Sequence, residues 1–135
     1  MTDPYVPMDR KKILKDTAVA GNVATTLTVP AGERWLILNA KIALTTDATV
    51  ASRVPRIRKQ DTADFSISSV PGLSQAASLG PTTSYFMREV SVISTYTNAL
   101  GFQLLDAGED FYIYIVNGQA GDSYDYAVEY LKVEI

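Results

Sequence analysis

The tripeptide Ala-Gly-Glu occurs twice, in Val29-Pro30-Ala31-Gly32-Glu33-Arg34-Trp35 and in Leu105-Asp106-Ala107-Gly108-Glu109-Asp110-Phe111, each time just ahead of a strongly apolar segment. Glycine takes φ > 0 without steric cost and proline presets the bend before it, so both stretches suit tight connections between extended strands. A pair of such turns, each preceded by an apolar residue and followed by an aromatic, predicts two similar β units within one chain.

The segments around the turns carry the period of strands. Over residues 35–44 the even positions Leu36, Leu38, Ala40, Ile42 and Leu44 are apolar while Asn39 and Lys41 fall between them, as in a strand with one buried face. Trp35 and Ile37 leave the odd face partly apolar at its start. Residues 25–29 are rich in β-branched side chains, and residues 50–59 read as a further strand in which Pro55 argues for an edge or a bulge. Residues 61–84 are rich in Ser, Thr, Ala, Gly and Pro and hold one or two short strands; residues 85–87, 90–94 and 100–105 resume the β pattern. The run 111–116 is apolar on both faces, which predicts a central strand, and 117–122 is a loop. In the last segment, 124–135, the apolar set moves from even positions (Tyr124, Tyr126, Val128, Tyr130) to odd ones (Leu131, Val133, Ile135), as a bulge or a covered second face would require.

Residues 1–22 differ: two prolines, a charge cluster and a small-residue stretch predict an arm outside the core. A short helix over 9–15 would have only Ile13 and Leu14 to bury and would be marginal by itself. The expected fold is all-β, a β-sandwich or jelly roll of about eight antiparallel strands forming a single domain over residues 23–135, with an extended N-terminal arm.

Composition limits the chemistry. At 135 residues and 47% hydrophobic content the chain can bury one core without cross-links. Histidine and cysteine are both absent, which excludes Ser-His-Asp catalysis, histidine-held zinc or iron, and thiolate chemistry. No catalytic residue, cofactor or metal ligand is expected, and a cupin-like enzyme would lack its histidines. No basic stretch leads into an apolar one at the start, and no apolar run approaches the roughly 20 residues of a membrane span, so a soluble, non-secreted chain is the expectation.

The net charge of −3 is the sum of unlike halves: residues 1–60 carry ten Lys and Arg against five acids, the remainder two against ten. If folding preserves that polarity, copies attract head to tail; if strands from the halves interleave, it cancels. Arg53, Arg56, Arg58 and Lys59 form a basic stripe with no aromatic between them, so a protein contact is a better reading than nucleic acid. Tyr112, Tyr114, Tyr124, Tyr126 and Tyr130 are interface or core candidates, because tyrosine buries a ring while its hydroxyl still finds a partner. Asp106, Glu109, Asp110, Asp122 and Asp125 would suit calcium if they met on one rim, but no D-x-D-x-D-G loop is present and solvated turn acids are the stronger reading.

The series Thr28-Val29-Pro30-Ala31-Gly32-Glu33-Arg34-Trp35, the strand to Leu44, the stretch Thr45-Thr46-Asp47-Ala48-Thr49-Val50-Ala51-Ser52-Arg53 and then Arg56-Ile57-Arg58 resembles small virion proteins of tailed bacteriophages. The resemblance resumes at Leu105-Asp106-Ala107-Gly108, where Asp106 stands for an expected proline, and covers most of residues 26–59 and 100–135. It implies a jelly-roll capsid decoration or cement protein, a non-enzymatic component made in the host cytoplasm and placed on the capsid surface. The implied partners are the major capsid protein and further copies of the chain, a homotrimer being favoured, with no nucleic acid and no membrane. The alternative is a tail- or fibre-associated carbohydrate-binding β-sandwich using exposed tyrosines. Candidate partner-binding residues are Arg10, Lys11, Lys12, Lys15, Arg53, Arg56, Arg58, Tyr124 and Tyr126.

Overall fold

The described residues form ten strands and contain no helix: β1 (Lys11–Ala20), β2 (Thr25–Thr28), β3 (Glu33–Thr45), β4 (Val54–Gln60), β5 (Ser66–Pro71), β6 (Thr82–Met87), β7 (Thr97–Ala99), β8 (Leu104–Leu105), β9 (Asp110–Val116) and β10 (Ser123–Glu134). The structure, a computed structural model, describes residues 11–63, 66–87, 97–99 and 104–134. One sheet runs β1-β10-β3-β6-β7 with β8 also on β3, and the other runs β2-β9-β4-β5. Every pairing is antiparallel except β6 with β7. With the short β7 and β8 set aside, the orders become first-eighth-third-sixth and second-seventh-fourth-fifth, the wrapping of an eight-stranded jelly roll.

The two sheets close on one apolar layer. Ile37, Ile42, Leu44, Phe86 and Val128 from the first sheet meet Ile57, Phe111 and Ile113 from the second, all with no exposed surface. Each such side chain contributes about 1.5–3 kcal/mol by leaving water. As the two-faced apolar run predicts, β9 is interior, between β2 and β4, with Phe111, Ile113 and Ile115 buried and Tyr112, Tyr114 and Val116 half-buried on its other side.

The two Ala-Gly-Glu turns form one corner. Each closes by an N–H to carbonyl bond, Glu33 to Pro30 at 3.2 Å and Glu109 to Asp106 at 3.0 Å. Gly32 and Gly108 sit at φ 80° and 85°, the left-handed position that a type II turn requires of its third residue. The turns also hold each other: Val29 N–H donates to Glu109 O at 3.0 Å and Gly108 N–H to Val29 O at 2.9 Å. Asp106 strengthens the second turn where proline was expected. Its N–H, which proline would lack, donates to Glu109 Oε1 at 2.6 Å, and its carboxylate accepts from Arg34 Nε at 2.6 Å.

Elsewhere the structure departs from the sequence expectations. Residues 11–20, expected in the arm, form β1 against β10, so the described chain shows an edge strand where a short helix was conceivable. Residues 11–16 and 19–20 pair in register with β10, although their apolar and polar side chains do not alternate. The lysines suit an edge, because a charge there discourages further strand addition. Pro55 lies in an interior strand, not at an edge. It is tolerated because its carbonyl accepts from Gly72 N–H at 2.7 Å where β5 has ended, so the missing donor faces no ladder position.

β10 does not change its inward face; the bulge lies in its neighbour, where it turns the buried set of β3 from Trp35 and Ile37 to Ala40, Ile42 and Leu44 and leaves Leu36 and Leu38, expected on the buried face, half-buried. β3 supplies the extra residue, Leu38, between the pairs Glu129–Asn39 and Tyr130–Ile37. In β10 the even residues Tyr124, Tyr126, Val128 and Tyr130 stay inside while Val133 is exposed. Residues 90–94 lie outside the described residues.

Candidate functional site

Arg53 looks like a surface cation in the sequence and is instead fully buried. Asp47 and Asp122, from the loops after β3 and β9, hold it. Its Nε donates to Asp122 Oδ2 at 3.0 Å, its Nη2 to Asp122 Oδ1 at 3.1 Å and Asp47 Oδ1 at 2.7 Å, and its Nη1 to Ala51 O at 2.8 Å. Backbone bonds with Gln75, at 2.8 and 2.7 Å, fix its main chain. Asp122 further accepts from the N–H groups of Asp47 and Gln119, both at 2.8 Å. Burial alone would push the Asp122 carboxyl up, but the Arg53 hydrogen bonds, the two backbone donors and the Arg53 charge outweigh it and hold the group below its ordinary value. All the guanidinium donors of this cluster point inward, so it ties loops together and offers nothing to a partner.

The other cations divide between faces. Arg10 lies outside the described residues; Lys11 opens β1 opposite Leu131. Lys12 and Lys15 are both exposed, but they fall on opposite sides of β1, opposite Tyr130 and Ala127 respectively. They do not form one patch. Lys12 borders an opening between β1 and β2 lined by Trp35 and Tyr130, whose rings lie 4.3 Å apart and tilted by 33°.

Tyr124 and Tyr126 are not available to a partner either. Both are buried on the inner side of β10, and the Tyr124 hydroxyl bonds Thr25 Oγ1 and donates to Val23 O, each at 2.8 Å. Burial raises the phenol pKa of Tyr124, Tyr126 and Tyr130, so all three stay neutral through the physiological range. A saccharide platform built on Tyr124 and Tyr126 is thereby excluded.

Arg56 and Arg58 do share a face, the outer side of the second sheet, and it contains what the sequence reading missed. Their β9 neighbours in register are Tyr114 and Tyr112. The Arg58 guanidinium lies 4.4 Å from the Tyr112 ring centroid and 5.0 Å from that of Tyr114, and the rings are 5.4 Å apart, tilted by 45°. With its amide oxygen turned to Arg58, Gln60 accepts from Nη2 at 2.7 Å and Nε at 3.0 Å, holding the guanidinium over the rings. The aromatics absent between Arg53 and Lys59 in sequence are therefore supplied by the adjacent strand. Two residue pairs with the same spacing of two, Arg56/Arg58 and Tyr112/Tyr114, were the signal available.

The acidic segments stay apart. Asp106, Glu109 and Asp110 lie at the start of β9 and Asp122 and Asp125 beyond its end, and an extended strand separates its ends by about 3.4 Å per residue. Asp110 is buried and accepts from Thr28 Oγ1 at 2.7 Å, while Asp125 accepts from Ala18 N–H at 2.8 Å. Among the described residues, no group of three or more acids is placed to hold a metal ion.

No family model matches the chain, and no curated protein matches it. Among solved structures it is similar to a chain of the T13 IBDV viral particle, at 16% identity and a TM-score of 0.42 over 91% of this chain and 31% of that one. It is also similar to the infectious bursal disease virus VP2 subviral particle, at 12% identity and a TM-score of 0.36 over 93% and 33%. The chain thus spans about a third of the length of these two chains.

Proposed function

We propose that this chain is a structural virion protein, a decoration or cement protein that binds the assembled head of a tailed phage and acts by binding, not by chemistry. The observation that carries this reading is the paired corner. The Val29–Trp35 segment that resembles phage virion proteins and its counterpart at 105–109 are hydrogen-bonded to each other and launch β3 and β9, two interior strands of a jelly roll.

On this reading the partner is the major capsid protein, the location is the capsid surface, synthesis is in the host cytoplasm, and the chain works as a homo-oligomer, most simply a trimer. Binding to the assembled shell and not to free subunits stabilises the shell by mass action, in proportion to RT ln(1 + [L]/Kd). A rigid block suits that role because little conformational entropy is lost at the interface.

The test is addition of the purified protein to heads that lack it, with occupancy read by cryo-electron microscopy and shell stability by thermal release of DNA. Ordered density on the outer shell and a higher release temperature are expected. Density confined to the tail, or none, refutes the reading. Truncation of residues 1–10 is the variant that tests an arm, because removal of 1–20 would delete β1 as well.

A further inference from the structure

The outer face of the second sheet is unusual in charge. Its four strands, β2, β9, β4 and β5, contain Arg56, Arg58 and Lys59 but only one acid, Asp110, which is buried. Lys59 is occupied, donating to Leu104 O at 2.9 Å and lying 3.5 Å from Glu109. Arg56 is not. Its Nε is shielded from water with no hydrogen-bond acceptor, and its Nη1 reaches Ser69 Oγ only at 3.4 Å. A shielded donor left without an acceptor costs free energy, so Arg56 gains from any rearrangement that brings its guanidinium onto an oxygen.

We infer that the face formed by Arg56, Arg58, Tyr112 and Tyr114 is a docking surface for an acidic protein, with carboxylates of the partner received by the Arg56 and Arg58 guanidinium groups. Arginine and tyrosine are the residue types enriched at the energetic centres of protein interfaces. Here they are also held in place before binding. Arg58 is pinned between Gln60, which takes its Nε–H and an Nη2–H, and the tyrosine rings, so little rotamer entropy remains to be lost, and the N–H donors left along the Nη1–Nη2 end still match a planar carboxylate in a way that an ammonium does not. The polar surroundings, Thr26 on β2 and Ser69 on β5, provide a wettable rim.

A single-stranded nucleic acid fits the same residues less well. Base stacking needs open ring faces, whereas the Tyr112 and Tyr114 rings are tilted against each other and already lie under Arg58. The inference does not depend on a virion location, and its test uses no particle, so the two readings stand or fall separately.

The experiment titrates the full chain against a dye-labelled glutamate oligomer and against labelled oligo(dT), by fluorescence anisotropy at low and physiological salt. The expected result is salt-sensitive binding of the glutamate oligomer that Arg58→Ala weakens by roughly tenfold, as loss of a close charge contact does. Lys41→Ala, which removes the same charge from an exposed position on the other sheet, is expected to leave binding unchanged. Arg58→Lys keeps the charge but loses the fork and is expected to weaken binding too; it serves as the informative variant if Arg58→Ala fails to fold by circular dichroism. Failure of the wild type to bind the glutamate oligomer, equal losses in Arg58→Ala and Lys41→Ala, full retention in Arg58→Lys, or tighter binding of oligo(dT) overturns the inference.

Discussion

Asp122→Ala removes the main counter-charge of Arg53 and is the most informative single perturbation of this fold. Both side chains of the pair are fully buried, so the variant leaves a guanidinium in a dry site with Asp47, itself 27% exposed, as its remaining ionic partner. Breaking a buried pair from one side costs about 3–5 kcal/mol. The backbone donors of Asp47 and Gln119 lose their acceptor as well, but they lie in a part-buried loop that water can reach, so they add little. A loss of about 4 kcal/mol is a large share of the 5–15 kcal/mol that holds a typical domain together, and corresponds to a fall in Tm of roughly 12 °C for a domain this size.

Urea unfolding followed by fluorescence suits the measurement, because Trp35 is the only tryptophan and is 4% exposed. The control is Asp106→Asn. Its ion pair with Arg34 is shorter, at 2.6 Å against 3.0 Å, but the side chains are 53% and 42% exposed, so the expected cost is below about 1 kcal/mol. The paired variant Arg53→Met with Asp122→Leu is expected to cost less than the sum of its single changes, since neither charge is then stranded. A loss under about 1 kcal/mol for Asp122→Ala, or strict additivity in the paired variant, would show that solvent reaches the site and that burial of the pair is not what makes it count.

Three further outcomes are expected. Gly32→Ala and Gly108→Ala both force a side chain into positive φ and cost about 1 kcal/mol; Gly108→Ala costs more, because its Cβ would meet Thr62 Cγ2 at 2.9 Å while that of Gly32 meets nothing, and urea midpoints rank them. Ala18→Gly, at φ 54° in the β1 bulge, is expected to be neutral or stabilising by up to about 1 kcal/mol, whereas Ala127→Gly within β10 destabilises, again by urea midpoint. Stability is expected to fall at both pH extremes. Asp122 is held below its reference 3.8, so its contribution is present above that value and is lost as pH falls through the lower, folded-state one; Tyr124, Tyr126 and Tyr130 are raised above 10.0, so theirs is present below pH 10.0 and is lost as pH rises; unfolding midpoints against pH check both arms.

Local chemistry made part of this molecule readable from its sequence. The glycine turns, the interior placement of β9 and the loop after it follow from residues within a few positions of one another. The fate of Arg53 does not, because its partner Asp122 lies 69 residues away and the pocket exists only once the loops meet. Tyr124 and Tyr126 were ambiguous for a related reason: tyrosine suits either side of a sheet, and which side β10 turns inward depends on its register with β3. Lysines in β1 obscured a strand whose pairing becomes plain only opposite β10. The Arg–Tyr face was hidden because its residues come from strands that are neighbours in space but about 55 residues apart in the chain.

The position of β10 has a consequence for how the molecule forms. It lies between β1 and β3, so those strands share no ladder until residues 123–134 arrive, and the bonds joining the two glycine turns likewise close a span of about 80 residues. Non-local closure of this kind slows folding, since loop entropy must be lost before any contact repays it. An early half of the chain would present the apolar side of β3 with no strand alongside it. Folding is thus expected to be a late, all-or-none event, and fragments ending before β10 to aggregate instead of persisting as partial sandwiches.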